Sequence, residues 1–318
     1  MAFVTRFAPS PTGPLHLGHA YSALLAHDMA RNEGGRFLLR IEDIDPQRSR
    51  PEWEAQLIDD LTWLGISWDA EPMRQSTRMP AYQGALDTLW LKGLLYPCTC
   101  TRRDIETALS APQEGTTLPT GPDGLIYPGT CKDRMHWERT FPESHPRPRD
   151  ATLRLDMALA AQSTNVFTHR IDSPDGGWHR NAGYQETGIG PKDQRGLIEF
   201  TPDDMVKDVG DIVVARRDMS TSYHLSVVID DAAQGITHVT RGADLSDATC
   251  IHVTLQRLLG LPTPTYHHHR LIRDAAGKRL AKRDDARALS KYRAEGATPQ
   301  DIRTMVGWGS TPPRGMVG

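Results

Sequence analysis

Cysteine is scarce in this chain, with four residues in 318. That excludes a small scaffold stapled by disulfides. Long apolar runs are absent. Mean hydropathy is −0.50, and no stretch approaches the roughly 18 apolar residues that a membrane-spanning helix needs. The start, Met1-Ala2-Phe3-Val4-Thr5-Arg6, has no basic segment leading into an apolar one, so a secretory leader is not expected and a cytoplasmic protein is. Charge of one sign is not in excess either. The formal net charge is −3, which argues against bulk electrostatic binding of nucleic acid and leaves room for a local basic patch. Two phosphate-binding signatures are missing as well. No G-x-G-x-x-G follows the first strand pattern, and no G-x-x-x-x-G-K-[ST] occurs.

What is present is an ordinary globular composition of 38% hydrophobic and 24% charged residues, long enough for about two domains or for one with an insertion. Residues 2–7 read as a strand and Ala8–Pro14 as a Pro/Gly loop. Gly18–Arg31 reads as a helix, 36–41 as a strand, and Pro51–Leu64 and Pro80–Leu95 as helices. This alternation predicts a right-handed βαβ unit on a parallel sheet. From Tyr96 to Phe200 the chain turns rich in Pro, Gly, His and Arg, and 172–196 reads as an inserted loop. Strand patterns return in Asp211–Arg217 and Tyr223–Asp230. Asp247–Leu259 reads as a helix, and 270–303 is basic, with ten Lys or Arg against five Asp or Glu.

Two local patterns carry chemistry. His16 and His19 sit three apart at a loop-to-helix junction, with Gly18 between them. A helix start offers free N–H groups and the positive dipole end, which suits a polyphosphate. A helix start that merely carries two histidines is the equal alternative. The second is Lys278-Arg279-Leu280-Ala281-Lys282-Arg283, which in isolation reads as a solvated basic face. A third cluster is Cys98, Cys100 and Cys131. In a cytoplasmic protein it points to metal or redox chemistry before structural disulfides.

Together the first two resemble the paired ATP signatures of class I aminoacyl-tRNA synthetases. Pro9–His19 with Leu39-Arg40-Ile41-Glu42-Asp43-Ile44-Asp45 resembles the glutamyl branch. Gly210–Asp218, Tyr223-His224-Leu225 and Thr237–Leu245 continue the likeness, which runs from about residue 4 to 283 apart from 172–196. The resemblance implies an α/β fold: a Rossmann-type parallel-sheet catalytic domain in two halves, 1–95 and 201–250. It implies a zinc-bearing insertion at 96–200 and a small helical C-terminal part at 251–318. Only 36 residues follow Lys282, where a full glutamyl-tRNA synthetase has a sizeable anticodon-binding region. That shortness, with Cys98-x-Cys100 and Tyr127-x-x-x-Cys131, resembles truncated paralogues that attach glutamate to queuosine in the anticodon of tRNA(Asp).

The resemblance assigns ATP to His16, Gly18, His19 and Lys282, with His16, His19 and Lys282 catalytic and Mg arriving with the nucleotide. It assigns L-glutamate to Arg6, Phe7, Ala8, Pro9, Ser10, Glu42, Tyr223 and Arg241. One structural zinc per chain falls to Cys98, Cys100, Tyr127 and Cys131, the alternative being reduced cysteines without metal. Queuosine-bearing tRNA(Asp) is the expected partner, the protein acting as a monomer with no membrane contact. The lysine loop departs from the family's K-L-S-K, since Arg279 and Ala281 replace its first lysine and its serine. A truncated enzyme charging the tRNA 3′ end and a non-catalytic tRNA- or glutamate-binding paralogue are the competing readings. Cys250 reads as a core residue. His267-His268-His269 reads as an ordinary connection, and His136, His145, His169 and His179 are given no role.

Overall fold

The computed structural model describes residues 2–110, 118–132, 144–170, 179–273 and 287–308. Strand β1 (Val4–Phe7) pairs in parallel with β2 (Arg36–Ile41), and β2 with the two-residue β3 (Met73–Arg74). Helix α1 (Leu17–Asn32) makes the first crossover. Its Ala and Leu residues supply helix propensity and one buried face. It ends where Gly34 takes φ +61°, a left-handed turn that glycine enters without steric cost. Helix α2 (Pro51–Trp63) starts on Pro51, with Glu52 and Glu54 in the first turn facing the positive dipole end. Helix α3 (Met79–Leu91) leads into β4 (Leu95–Cys98).

Strands β12 (His238–Gly242) and β13 (Thr265–His269) are parallel to each other, and β13 pairs in parallel with β9 (His179–Glu186). The edge is closed by β10 (Gly196–Phe200), antiparallel to β9. The two sets of strands meet at β1 and β12. Thr237 N–H donates to the Val4 carbonyl at 3.0 Å, and Val4 N–H donates to Thr237 Oγ1 at 2.8 Å. The order is therefore β3-β2-β1-β12-β13-β9-β10. Strands β1 and β12 run the same way, but the sequence order of the strands turns back between them, the switch point where open α/β sheets bind ligands beyond their strand ends.

Both faces are covered. Residues of α1 and α2 form one core with Leu289, Ile302 and Val306. On the other face, helices α3, α5 (Tyr223–Ala233) and α6 (Thr249–Leu259) pack with the antiparallel trio β11 (Val213–Ala215), β7 (Thr152–Leu155) and β4. A small hairpin, β5 (Thr120–Gly121) and β6 (Gly124–Leu125), hangs from the inserted region. Near the C-terminal end, Asp28 accepts from Arg303 at 2.7 Å and from Trp308 Nε1 at 2.8 Å, docking helix Pro299–Met305 on α1.

Four expectations change. Tyr223–Asp230 is helical, because Ser222 caps the segment by accepting from Leu225 N–H at 3.3 Å and Leu225, Val227 and Val228 are buried. The described part of 172–196 contains β9, which pairs along its length with β10 and, at Glu186, with β13. Residues 179–200 consequently belong to the main sheet and not to an insertion. The described part of 251–318 opens with most of helix Thr249–Leu259 and with β13 of the main sheet, and its next described helix starts at Leu289. His267–His269 is a buried strand segment in place of a connection.

Candidate active site and candidate metal centre

The parallel strands deliver the site from their C-terminal ends. Arg6 and Phe7 close β1, Arg241 and Gly242 close β12, and Glu42 follows β2. The Glu42 N–H donates to the Pro9 carbonyl at 3.0 Å, tying the strand-end loops together. Ser10, Glu42 and Tyr223 line a cleft of about 860 Å³ together with Asp123, Arg154 and Asp211.

Arg6 is buried beneath that cleft. Its Nε and Nη2 donate to the two Asp231 oxygens at 2.9 and 3.4 Å, and its Nη1 donates to the Thr240 carbonyl at 3.1 Å. Asp231 also accepts from Arg40 at 2.6 Å, and Arg40, with no exposed surface, reaches Glu42 at 3.1 Å. Burial raises the Asp231 carboxyl, but Arg6 and Arg40 outweigh it and hold it below the usual carboxylate range. Burial wins at Glu42 and raises its pKa despite Arg40. The Tyr223 hydroxyl is pushed up by burial and by Glu42. Two guanidiniums and two carboxylates thus compensate one another, as buried charges must.

Arg241 is held differently. Its Nε donates to His268 Nε2 at 2.9 Å, its Nη1 to His252 Nδ1 at 2.8 Å, and its Nη2 to Thr249 Oγ1 at 2.7 Å. Three of its five N–H donors are engaged in these contacts. Burial first, and then the Arg241 charge, keep His252 well below the ordinary histidine value. Burial also depresses His268, although Glu186 opposes it.

The histidines at the start of α1 form a reciprocal cap. His16 Nδ1 accepts from Gly18 N–H at 3.1 Å, and His19 Nδ1 accepts from the His16 N–H at 3.2 Å. Their rings lie 3.8 Å apart. Because both Nδ1 atoms accept, a neutral ring carries its proton on Nε2 in each case. Ala288 bridges His16, and Leu289 N–H donates to the Leu15 carbonyl at 2.8 Å. The chain therefore returns to the described residues beside the histidine pair. Lys282, with Arg279 and Ala281, lies outside the described residues.

Cys98, Cys100 and Cys131 converge, with all three sulfurs within 4.8 Å of one another. Cys100 and Cys131 Sγ are 3.5 Å apart. The Tyr127 hydroxyl lies 3.5 Å from Cys98 Sγ and 3.4 Å from Cys100 Sγ. Thiolates at 2.3 Å around a tetrahedral zinc would stand about 3.8 Å apart. The four groups fit that ion, and the separations are far from a disulfide bond. Two features suit Tyr127 to act as an oxygen donor. Cys131 N–H donates to its oxygen at 2.8 Å, and the Arg154 guanidinium lies 3.8 Å over its ring. Burial raises the Cys131 thiol, but bonds from Tyr127 and Thr99 bring it down to about 6. Lys132 follows and pairs with Asp156 at 2.7 Å and Asp211 at 3.4 Å, anchoring the cluster to the cleft floor.

Of the residues assigned from sequence, Arg6, Phe7, Ala8, Pro9, Ser10, Glu42, Tyr223 and Arg241 converge on the switch point. His16, Gly18 and His19 form the helix start, apart from the cleft lining. Sequence reading passed over Asp231, Arg40, His252, His268, Glu186 and Thr249, which hold those side chains. The run of three histidines was the available signal, since successive polar residues in a buried strand must each find partners.

Residues 2–159 and 186–315 match the catalytic domain of class I tRNA synthetases (E and Q). A protein of Rhodobacter capsulatus named glutamyl-Q tRNA(Asp) synthetase is 62% identical over 308 residues, covering 96% of this chain and 99% of its own. One of the same name from Symbiobacterium thermophilum is 41% identical, covering 93% and 83%. The crystal structure of a glutamate-tRNA synthetase from Elizabethkingia anophelis superposes with a TM-score of 0.71 at 24% identity, a likeness of fold. This chain spans 63% of that synthetase's length. No described helix is long and apolar enough to cross a membrane.

Proposed function

The chain belongs to the class I glutamyl- and glutaminyl-tRNA synthetase family and, within it, to the glutamyl-Q tRNA(Asp) synthetases, and from that premise we propose the following reaction and residue roles. The enzyme activates L-glutamate with ATP and transfers it to queuosine in the anticodon of tRNA(Asp). An α-carboxylate oxygen of glutamate attacks the α-phosphorus of ATP, and pyrophosphate leaves. A queuosine hydroxyl then attacks the carbonyl carbon of the adenylate. AMP leaves, the hydroxyl proton is released, and an ester remains.

Each step places charge on oxygen and asks the protein for oriented donors more than for covalent chemistry. His16 and His19 offer Nε2–H groups to the phosphates from the α1 start, beside the Gly18 backbone. Lys282 meets the departing pyrophosphate as a cation, and Mg arrives on the nucleotide. Arg241 and Arg6 receive the glutamate carboxylates. Glu42 accepts from the ammonium, and the Phe7–Ser10 backbone and Tyr223 wall the pocket. Zinc, held by Cys98, Cys100, Tyr127 and Cys131, shapes the inserted wall and takes no part in the chemistry, because four protein ligands leave no open position. The protein acts in the cytoplasm as a monomer.

The observation that carries this reading is 62% identity over nearly the whole length of a protein of that name. The decisive experiment is transfer of labelled glutamate to tRNA(Asp) with and without queuosine, the label being located by nuclease digestion. Label on the anticodon nucleotide only when queuosine is present is the expected result. Label on the 3′ adenosine would make this a truncated charging enzyme, and no label from well-folded protein would make it non-catalytic. Metal analysis tests the zinc: Cys98→Ser should lower the zinc content, and unchanged stoichiometry would remove Cys98 from the ligand set.

A further inference from the structure

Arg241 stands at the centre of a buried chain of polar groups whose other members the proposed reaction does not use. On one side lies His268, whose Nδ1 is 2.5 Å from Glu186 Oε2. Glu186 is fixed in turn by the N–H groups of His268 and Gly188, at 3.0 and 2.7 Å. On the other side lies His252, whose Nε2 is 3.0 Å from His224 Nδ1. His224 Nε2 reaches Asp123 Oδ1 at 3.1 Å, on the hairpin of the inserted region. His252, His268, Glu186 and Thr249 are each at most 2% exposed.

The proton positions in this chain follow from one fact: a guanidinium only donates. His252 Nδ1 and His268 Nε2 both receive Arg241 N–H groups, so neither carries a hydrogen. Each ring, buried against a cation, is neutral, and its single proton sits on the other nitrogen. His252 then donates from Nε2 to His224, and His224 from Nε2 to Asp123. His268 donates from Nδ1 to Glu186. Both arms point away from Arg241 and end on carboxylates. Neither carboxylate touches the guanidinium, so the cation is oriented but not neutralised at contact distance.

We propose that His252 and His268 are positioning residues that aim the Arg241 guanidinium at a substrate carboxylate, each by accepting one of its hydrogen bonds as a neutral ring, His252 through Nδ1 and His268 through Nε2. The inference rests on the reading that Arg241 holds glutamate. The opposite tautomers give it a distinctive signature. Asparagine places an oxygen near the Nδ1 position of histidine, and glutamine near Nε2. At 252, Asn therefore preserves the acceptor for Arg241 and Gln loses it. At 268 the assignments are reversed.

The test is the KM for glutamate in glutamate-dependent ATP–pyrophosphate exchange. His252→Gln and His268→Asn should each raise it at least about tenfold, the effect of losing one hydrogen bond to a charged group, with kcat changed much less. His252→Asn and His268→Gln should each raise it only about threefold. A role confined to filling space would not produce this mirror image, and equal effects of Asn and Gln at both positions would overturn the proposal. Arg241→Ala separates it from its premise. An unchanged KM in that variant would refute the glutamate reading itself, whereas a raised KM without the mirror image would refute the positioning role alone. Nitrogen-15 NMR of the wild-type enzyme supplies a measurement independent of any variant's folding. His252 should be the Nε2–H tautomer and His268 the Nδ1–H tautomer, and the same tautomer in both rings would sink the idea.

Discussion

Arg6 and Arg241 end neighbouring strands of one sheet, and both are buried, at 6% and 7% exposure. Their surroundings differ in kind. Arg6 is gripped by the Asp231 carboxylate, which also serves Arg40. Arg241 is gripped by two neutral imidazoles and a hydroxyl. Carboxylate partners settle much of the charge, so a glutamate carboxylate that meets Arg6 shares that cation with Asp231. Neutral acceptors fix the direction of a guanidinium and leave its charge to be met by a ligand. The first arrangement ties β1 and β2 to the helix that carries Asp231. The second is what a site that must recognise a carboxylate requires.

The sharpest way to break this contrast is to remove Asp231. Asp231→Ala strands two buried guanidiniums and should cost about 3–5 kcal/mol of stability, read as a drop in the denaturant midpoint. A loss under about 1 kcal/mol would mean that the Arg6 region is not held by charge. Acid titration separates the two regions next. His252, His267, His268 and His269 have folded pKa values below the ordinary 6.5, and His269 is pushed by burial to about 4. The unfolded chain therefore takes up protons first, and stability present above about pH 6.5 is lost as pH falls toward 4, by about 3 kcal/mol from His269 alone. Asp231 is depressed below 3.8, so its contribution persists through that window and vanishes only at lower pH. Stability that stays flat from pH 6.5 to 4 would contradict the neutral histidine chain.

Smaller effects sharpen the comparison further. Arg241→Lys keeps the charge but loses the planar fork. Glutamate KM should rise roughly tenfold, about 1.4 kcal/mol, and the thermal midpoint should fall as well, because lysine leaves part of the His252, His268 and Thr249 set without a donor. A variant with normal KM would show that charge alone suffices there. Thr249→Val, which removes one neutral acceptor from Arg241, should cost about 1 kcal/mol and raise glutamate KM a few-fold. If it costs as much as Asp231→Ala, the distinction between neutral and charged partners collapses.

Local patterns were readable where the chain's own chemistry decides the structure. The β1–α1–β2 unit follows from a strand, a Pro/Gly loop and an Ala/Leu helix in short order. The two histidines of α1 were legible for the same reason: Gly18 and the helix start put their partners within three residues. Tyr223–Asp230 reads as a strand because its Val-Val-Ile run looks β-prone, whereas the Ser222 cap and the burial of one face decide for helix. Residues 179–200 resisted because the strand is fixed from outside. Glu186 is stable only once His268 and Gly188, 82 and two residues away along the chain, supply their N–H groups. The zinc-like cluster was legible as residue types, but the contribution of Arg154 above Tyr127 was not, since it comes from a distant strand.

Cys100 belongs to two things at once: it is one of the three converging thiols, and it forms part of the cleft wall. A ligand filling the cleft and an ion filling the thiol cluster would therefore act on a common residue, and thermodynamic linkage makes any such influence mutual. If the ion sharpens the cleft for its ligand by some factor, the ligand in the cleft must tighten the hold on the ion by the same factor.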